Sequence, residues 1–172
     1  MDTLIHINRA APDFGLPDLS GSMQRLAKER GRVVVLNFWS AECPWSDLLD
    51  QFLGSWLLAW GERVAWWSVA ANANEPADLL VHAARQRGLP IVLQDTGHRV
   101  TDLYQAQTTP HVFVIDPQGF LRYQGAPYDA TFRSPIPARH YLQQAVDAVL
   151  SGRCPDPSYT PPYGCAIVRF AA

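Results

Sequence analysis

The apolar run from Val33 to Trp39 limits the folds open to this chain more than any other feature. Its sequence, VVVLNFW, is rich in β-branched and aromatic side chains and has no charged one, which is typical of a strand covered on both faces of a sheet. A helix is predicted soon after it, because apolar residues between Pro44 and Trp60 recur at steps of three and four, and Gly61 ends the pattern. A buried strand that leads into a long amphipathic helix indicates a layered α/β protein.

The rest of the chain alternates between the same two kinds of element. In chain order we predict a strand over 64–70, a helix over 77–87, a strand over 91–93, a short helix near 98–104, a hairpin of strands 111–115 and 120–124, and a helix over 137–150. This order predicts a mixed central sheet flanked by helices. We expect residues 1–152 to form this domain and the proline-rich residues 153–172 to form a C-terminal arm packed on it.

Composition narrows the classes of partner. The chain has 172 residues, 48% of them hydrophobic and 17% charged, with a formal net charge of −2. This balance suits a single soluble core and excludes a polyanion-binding surface, so nucleic acid is not an expected partner. No stretch of about 18 uninterrupted apolar residues occurs, and residues 1–10 have no signal-peptide pattern. We therefore expect a cytoplasmic protein with no membrane partner.

Cys43 is the position at which chemistry is expected. Pro44 suits the first position of the predicted helix, which places Cys43 at or beside its N-cap. The unpaired N–H groups and the positive end of the helix dipole there stabilise a thiolate, whereas the neighbouring Glu42 carboxylate disfavours it. We expect the pKa of Cys43 to be lowered and its sulfur to be nucleophilic. The alternative is a small buried apolar residue, and the junction of strand, proline and helix argues against it.

Several segments of the chain resemble one known family. The sequence from Val33 to Ser46 looks like the active-site strand and loop of thioredoxin-fold redoxins, a group that includes thiol:disulfide oxidoreductases and peroxiredoxin-like proteins of the alkyl hydroperoxide reductase and thiol-specific antioxidant type. Residues 11–21 are similar to the N-terminal hairpin of that group, and Thr109-Pro110 falls where it carries a cis-proline. Residues 163–167 resemble the ending of a peroxiredoxin-like branch. The resemblance implies a thioredoxin-like α/β fold with a redox-active cysteine.

The chain departs from the family at the second active-site cysteine, where it has Ser46. A mixed disulfide on Cys43 must then be resolved by Cys154, by Cys165 or by an external thiol. Ser46 either donates a hydrogen bond to the thiolate or is a simple polar residue of the first helical turn. Two further alternatives for Cys154 and Cys165 are a disulfide between them and two unpaired thiols. The spacing of the cysteines gives no metal-ligand pattern, and neither a metal nor another cofactor is expected.

Substrate contacts are expected on both sides of Cys43. The resemblance implies that Thr109, before a cis-Pro110, presents its backbone to an extended thiol substrate as an added strand pairs with a sheet edge. Trp39, Pro44 and Trp45 are expected to form an apolar surface around the sulfur.

His111, next to Pro110, is a further candidate neighbour of the Cys43 sulfur. A position facing solvent at the start of a strand is favoured for it.

These features predict a thiol-disulfide oxidoreductase that acts through Cys43 on protein or small-molecule thiols and disulfides, with a thioredoxin- or glutathione-type donor. One alternative is a thiol peroxidase. Leu36 and Ser40 stand where true peroxiredoxins have proline and threonine, so one of those two signals is lost. A second alternative is a non-catalytic thioredoxin-fold binding module, which the replacement of the second cysteine by Ser46 keeps open.

Overall fold

A five-stranded mixed sheet forms the centre of the computed structural model, which describes residues 5–170. The strands are β1 (Gly15–Pro17), β2 (Met23–Arg25), β3 (Val33–Trp39), β4 (Val64–Ala70), β5 (Val92–Gln94), β6 (Thr108–Thr109), β7 (His111–Ile115), β8 (Leu121–Gly125) and β9 (Cys165–Ala166). The helices are α1 (Pro44–Trp60), α2 (Ala77–Arg87), α3 (Arg99–Leu103) and α4 (Tyr141–Leu150). Short 3₁₀ turns occupy Leu26–Glu29 and Gly61–Arg63.

The central sheet has the order β5-β4-β3-β7-β8. β3 is parallel to β4 and antiparallel to β7, and every residue of β3 is buried. The pairs β1–β2 and β6–β9 are separate two-stranded ladders. The predicted α/β thioredoxin-like fold with a mixed sheet and an N-terminal hairpin is confirmed, although the hairpin extends to Arg25.

Two apolar layers cover the sheet. Side chains of α1 and α4 pack on one face, on which Val33 and Val35 lie. Phe14 of the N-terminal region and Tyr104, next to α3, pack on the other face against Phe38. Because both faces are covered, the strand residues read as a continuous apolar run rather than as an alternating one.

The last helix begins at Tyr141 and not at Pro137 as the sequence predicted. The backbone N–H groups of Ala138 and Arg139 donate to the Asp129 carboxylate at 2.9 and 3.0 Å, which holds this stretch in a loop. The side chain of Asp129 thus satisfies donors that the apolar pattern had assigned to a first helical turn.

The C-terminal segment runs back along the domain toward the central strand. The N–H of Gln124 donates to Ser158 O at 3.1 Å, Cys165 pairs with Thr109, and the N–H of Ala73 donates to Val168 O at 2.8 Å. Residues 1–4 of the predicted domain (1–152) and residues 171–172 of the predicted C-terminal arm (153–172) lie outside the described residues.

Candidate active site

Cys43 is the N-cap residue of α1, at the carboxyl end of the central strand. Its backbone is extended (φ −84°, ψ 122°) and Pro44 begins the helix, as predicted. The residue is only 2% exposed. Its thiol donates a hydrogen bond at 3.0 Å to the backbone oxygen of Thr109, the residue directly before Pro110. The peptide bond between Thr109 and Pro110 is cis.

The surroundings of Cys43 favour its thiolate. Burial raises the pKa of the Cys43 thiol, but hydrogen bonds from the Cys165 thiol and from the Ser46 backbone N–H lower it by more. The pKa of Cys43 therefore lies below the ordinary value of a cysteine, in the direction that the helix terminus predicts. Glu42 is exposed beside it and does not reverse this direction.

Cys165 is the residue that faces Cys43. It lies in β9, where it pairs with Thr109 in antiparallel register, and it is half-buried. Burial and the neighbouring Cys43 raise the pKa of Cys165 to about 12. In the reduced pair, Cys43 therefore loses its proton before Cys165, and the Cys165 thiol donates a hydrogen bond to the Cys43 sulfur.

Ser46 contacts the active-site loop in two ways. Its backbone N–H is directed at the Cys43 sulfur, as the first turn of a helix requires. Its buried hydroxyl accepts a hydrogen bond from the N–H of Ser40 at 3.3 Å. The main chain of Ser46 thus stabilises the thiolate, while its side chain holds the loop that carries Cys43.

A buried carboxylate that the sequence analysis missed fastens the same loop. Glu75, which follows β4, accepts hydrogen bonds from the Ser40 hydroxyl and, at 3.1 Å, from the N–H of Glu42. A signal for this contact exists in the sequence: the carboxyl ends of neighbouring parallel strands meet at one edge of a sheet, and Glu75 follows the strand next to β3.

Arg87 of α2 holds the loop from the other side. Its guanidinium donates to Ala41 O at 2.6 Å and to the Asp50 carboxylate at 3.1 Å. Trp39 joins this group, since its indole N–H donates to Asp50 at 2.8 Å and the Arg87 guanidinium lies 5.6 Å from its ring centre. Burial is the main cause that raises the pKa of Asp50 to about 6.

Comparisons with known proteins agree with this geometry. The profile of the AhpC/TSA family matches residues 7–124, which is more than half of the chain and includes Cys43. The chain belongs to the AhpC/TSA family. A thiol-disulfide oxidoreductase ResA from Geobacillus kaustophilus is 32% identical over 122 residues, which cover 70% of this chain and 69% of that protein.

Two solved structures match this AhpC/TSA chain over nearly its whole length. An uncharacterized conserved protein from Geobacillus kaustophilus superposes with a TM-score of 0.87 at 22% identity, covering 98% of this chain and 95% of the other. A hypothetical protein from Sinorhizobium meliloti 1021 gives a TM-score of 0.84 at 27% identity, with 98% and 96% covered. The family match ends at residue 124, so Cys165 lies beyond it, whereas both superpositions extend over the C-terminal segment.

The residues predicted to bind substrate divide into two groups in this AhpC/TSA fold. Pro44 is exposed and Trp45 is half-buried, and the rings of Trp45 and Tyr163 make an edge-to-face contact with their centres 5.3 Å apart. Trp39 does not contribute to that surface, because it is fully buried with its indole bound to Asp50. Thr109 lies beside Cys43 as expected, but its strand edge is already paired with β9.

His111 does not face solvent, contrary to the position favoured from the sequence. It is 3% exposed, because the antiparallel register of β7 places it opposite Phe38 of the central strand. Its Nδ1 accepts a hydrogen bond from the N–H of Gln107 at 3.2 Å, and its ring stacks on Phe113. Burial lowers the pKa of His111 to about 4, so its imidazole is neutral at physiological pH.

Cys154 lies at the opposite end of the sheet from Cys43. It lines a cleft with Asp116 and Pro117, which follow β7, and β7 runs antiparallel to β3. The seven residues of β3 span about 20 Å. The structure therefore brings Cys165 to Cys43 but does not bring Cys154 to either of them, and all three are free thiols.

The described residues contain neither a metal-binding cluster nor a membrane-spanning helix. Within residues 5–170, no group of three or more His, Cys, Asp or Glu side chains is arranged to hold a metal ion. None of the helices in the same part of the chain is long and apolar enough to span a bilayer.

Proposed function

We propose that the protein exchanges thiols and disulfides through Cys43 and forms mixed disulfides with protein or small-molecule substrates. The observation that carries the proposal is the convergence of hydrogen-bond donors on a cysteine sulfur at a helix N-terminus. Such donors stabilise the thiolate, which is the form that attacks a disulfide. The relatives named thiol-disulfide oxidoreductase, including the ResA proteins of Geobacillus kaustophilus and Bacillus subtilis, support the same reaction class.

In the proposed step, the Cys43 thiolate attacks one sulfur of a substrate disulfide. A bond forms between Cys43 Sγ and that sulfur, and the other sulfur leaves as a thiolate that takes a proton from solvent. The backbone N–H of Ser46 holds the charge on Cys43 before attack. Glu75 and Arg87 keep the loop rigid, so that the sulfur stays aligned with the helix terminus.

The contacts of the loop favour disulfide exchange over peroxide reduction. A peroxidase needs donors aimed at the developing charge on the peroxide oxygens. The Ser40 hydroxyl is bonded to Glu75, and the Arg87 guanidinium is bonded to Ala41 O and Asp50. Both groups are therefore engaged in holding the loop rather than turned toward the Cys43 sulfur.

The pH titration of Cys43 tests the proposal. Thiolate absorbance of the wild type minus that of Cys43→Ser should give a midpoint below about 8.5, the value of an unperturbed thiol. Cys154→Ser is the matched control and should leave that midpoint unchanged, because Cys154 lies at the far end of the sheet. A midpoint at or above about 8.5 would leave a binding module without catalysis as the better interpretation.

A further inference from the structure

The C-terminal segment occupies the place where an extended substrate is expected. A substrate strand would pair with the free edge of Thr109 and bring its sulfur to Cys43. In the structure β9 pairs with that edge, and Cys165 is the residue opposite Thr109. Thr109 O in turn accepts the hydrogen bond from Cys43 Sγ at 3.0 Å. Cys165 thus has the position of a substrate cysteine that belongs to the same chain.

The chain holds Cys165 in this position by contacts on both sides of it. Before it, the Thr160 hydroxyl is hydrogen-bonded to the Tyr123 hydroxyl at 2.6 Å and accepts the N–H of Ala126 at 2.9 Å. After it, the N–H of Val168 donates to the Asn72 side chain at 2.8 Å. These anchors fix the path of the segment independently of the two thiols.

Gly164 allows the segment to approach the active-site loop closely. A Cβ atom at this position would overlap the carbonyl of Thr109 and lie 3.0 Å from Pro110 N. The clash would be with backbone, which cannot move aside as the end of a flexible side chain can. A residue without a side chain is therefore needed directly before Cys165.

We propose that Cys165 is the second redox cysteine of this active site, which resolves the mixed disulfide on Cys43 by forming an intramolecular Cys43–Cys165 disulfide. The inference rests on the proposed exchange by Cys43 and adds the identity of the resolving thiol. The thiol missing at Ser46, one helical turn along α1, is supplied instead by a strand distant in sequence.

The step balances in atoms and electrons. Cys165 gives up its proton and attacks Cys43 Sγ of the mixed disulfide, a bond forms between the two cysteine sulfurs, and the substrate sulfur leaves as a thiolate that takes the proton. One substrate disulfide is thereby reduced to two thiols, and Cys43 and Cys165 are oxidised to one disulfide. An external dithiol returns the pair to the reduced state.

The first attack requires a small movement of the segment. Cys43 is 2% exposed with β9 in place, so an outside disulfide reaches it only when β9 leaves Thr109. The ladder to be broken is short, because β6 and β9 have two residues each. Return of the segment then places Cys165 against the new mixed disulfide.

Oxidised glutathione is the probe for the test, and the products are trapped with acid and mapped by mass spectrometry. The wild type and Cys154→Ser should accumulate a Cys43–Cys165 disulfide. Cys165→Ser should hold a Cys43–glutathione adduct at least about tenfold longer, because the intramolecular attack is lost. An adduct that lasts as long in the wild type as in Cys165→Ser would overturn the inference and leave the proposed function intact. No adduct and no disulfide in any variant would overturn both.

Gly164→Ala provides a second variant that retains both thiols. It should lengthen the lifetime of the glutathione adduct toward that of Cys165→Ser, because the overlap with Thr109 moves Cys165 away from Cys43. A thermal unfolding transition measured beside it shows that the domain is folded. A folded Gly164→Ala that closes the disulfide as fast as the wild type would contradict the inference.

Discussion

Asp50→Asn should remove a pH dependence of stability that the structure assigns to one buried carboxyl group. Asp50 is 7% exposed, and burial raises its pKa from an ordinary 3.8 to about 6 despite the hydrogen bonds from Trp39 and Arg87. Both of those donors reach the same oxygen, Oδ2, while Oδ1 has no partner. An asparagine whose amide oxygen takes the Oδ2 position keeps both hydrogen bonds, and it removes the titration together with the charge–charge attraction to Arg87.

The sign follows from the direction of the pKa change. A carboxyl group with a raised pKa binds more protons in the folded than in the unfolded state, so the free energy of unfolding falls as pH rises between the two values. The interval from 3.8 to about 6, at about 1.4 kcal/mol for each pH unit, corresponds to about 3 kcal/mol. The wild type should lose this amount relative to Asp50→Asn between pH 4 and pH 7, and the difference should be constant above pH 7.

Urea unfolding of the two proteins at several pH values measures this difference. Subtracting one curve from the other cancels the titrating groups that do not interact with Asp50. Parallel curves across this pH range would refute the reasoning, because they would show that Asp50 titrates alike in the folded and unfolded chain. A difference of the opposite sign would mean that the Arg87 charge outweighs burial.

Two further substitutions test the site and the C-terminal segment. The double variant Ser46→Cys, Cys165→Ser has a thiol one helical turn from Cys43. Its Cys43–glutathione adduct should last at least about tenfold less long than that of Cys165→Ser, because intramolecular attack is possible again. An unchanged lifetime would show that position 46 cannot reach the adduct. Gly125→Ala should lower the free energy of unfolding by about 1–3 kcal/mol, because Gly125 has φ +142° and its Cβ would overlap the carbonyl of Thr160. Urea unfolding measures this loss, and equal stability would show that the segment at Thr160 shifts at no cost.

Local signals made the central part of the site predictable. The apolar run of β3, the proline at the start of α1 and the glycine after it each act within a few residues, and they place Cys43 at the helix terminus. The direction of its pKa agrees with that position, because the first turn of any helix directs N–H groups at its N-cap, although the hydrogen bond from the distant Cys165 lowers the pKa more. The cytoplasmic location expected from the sequence stays a prediction.

The contacts that complete the site depend on packing between distant segments. Glu75 and Arg87 lie 35 and 46 residues from the loop atoms that they bind. The shared edge of two parallel strands points to Glu75, but no sequence pattern connects Arg87 to Cys43. The burial of Trp39 and His111 likewise depends on which strands pair. A single sequence gives the kind of element, but the neighbours of each strand are set by the whole sheet.

The role of Cys165 was predictable only in part from the sequence. Residues 163–167 resemble a family ending, but the sequence left Cys165 and Cys154 as alternative resolving thiols, and the structure adds the register that places Cys165 opposite Thr109. Cys154, which sequence reasoning treated as its equal, differs only in where the arm carries it. The register of one two-residue ladder therefore distinguishes two cysteines that composition alone cannot separate.

The pairing of β9 with Thr109 also sets how tightly an outside strand must bind in order to occupy the same edge. A segment tethered in the same chain is present at its site at an effective concentration that is millimolar for a short flexible connection. An outside strand that uses the same edge competes with it at every encounter, whatever the concentration of free thiols around the protein. An outside strand that binds this edge more weakly than the tethered segment would therefore be displaced by it.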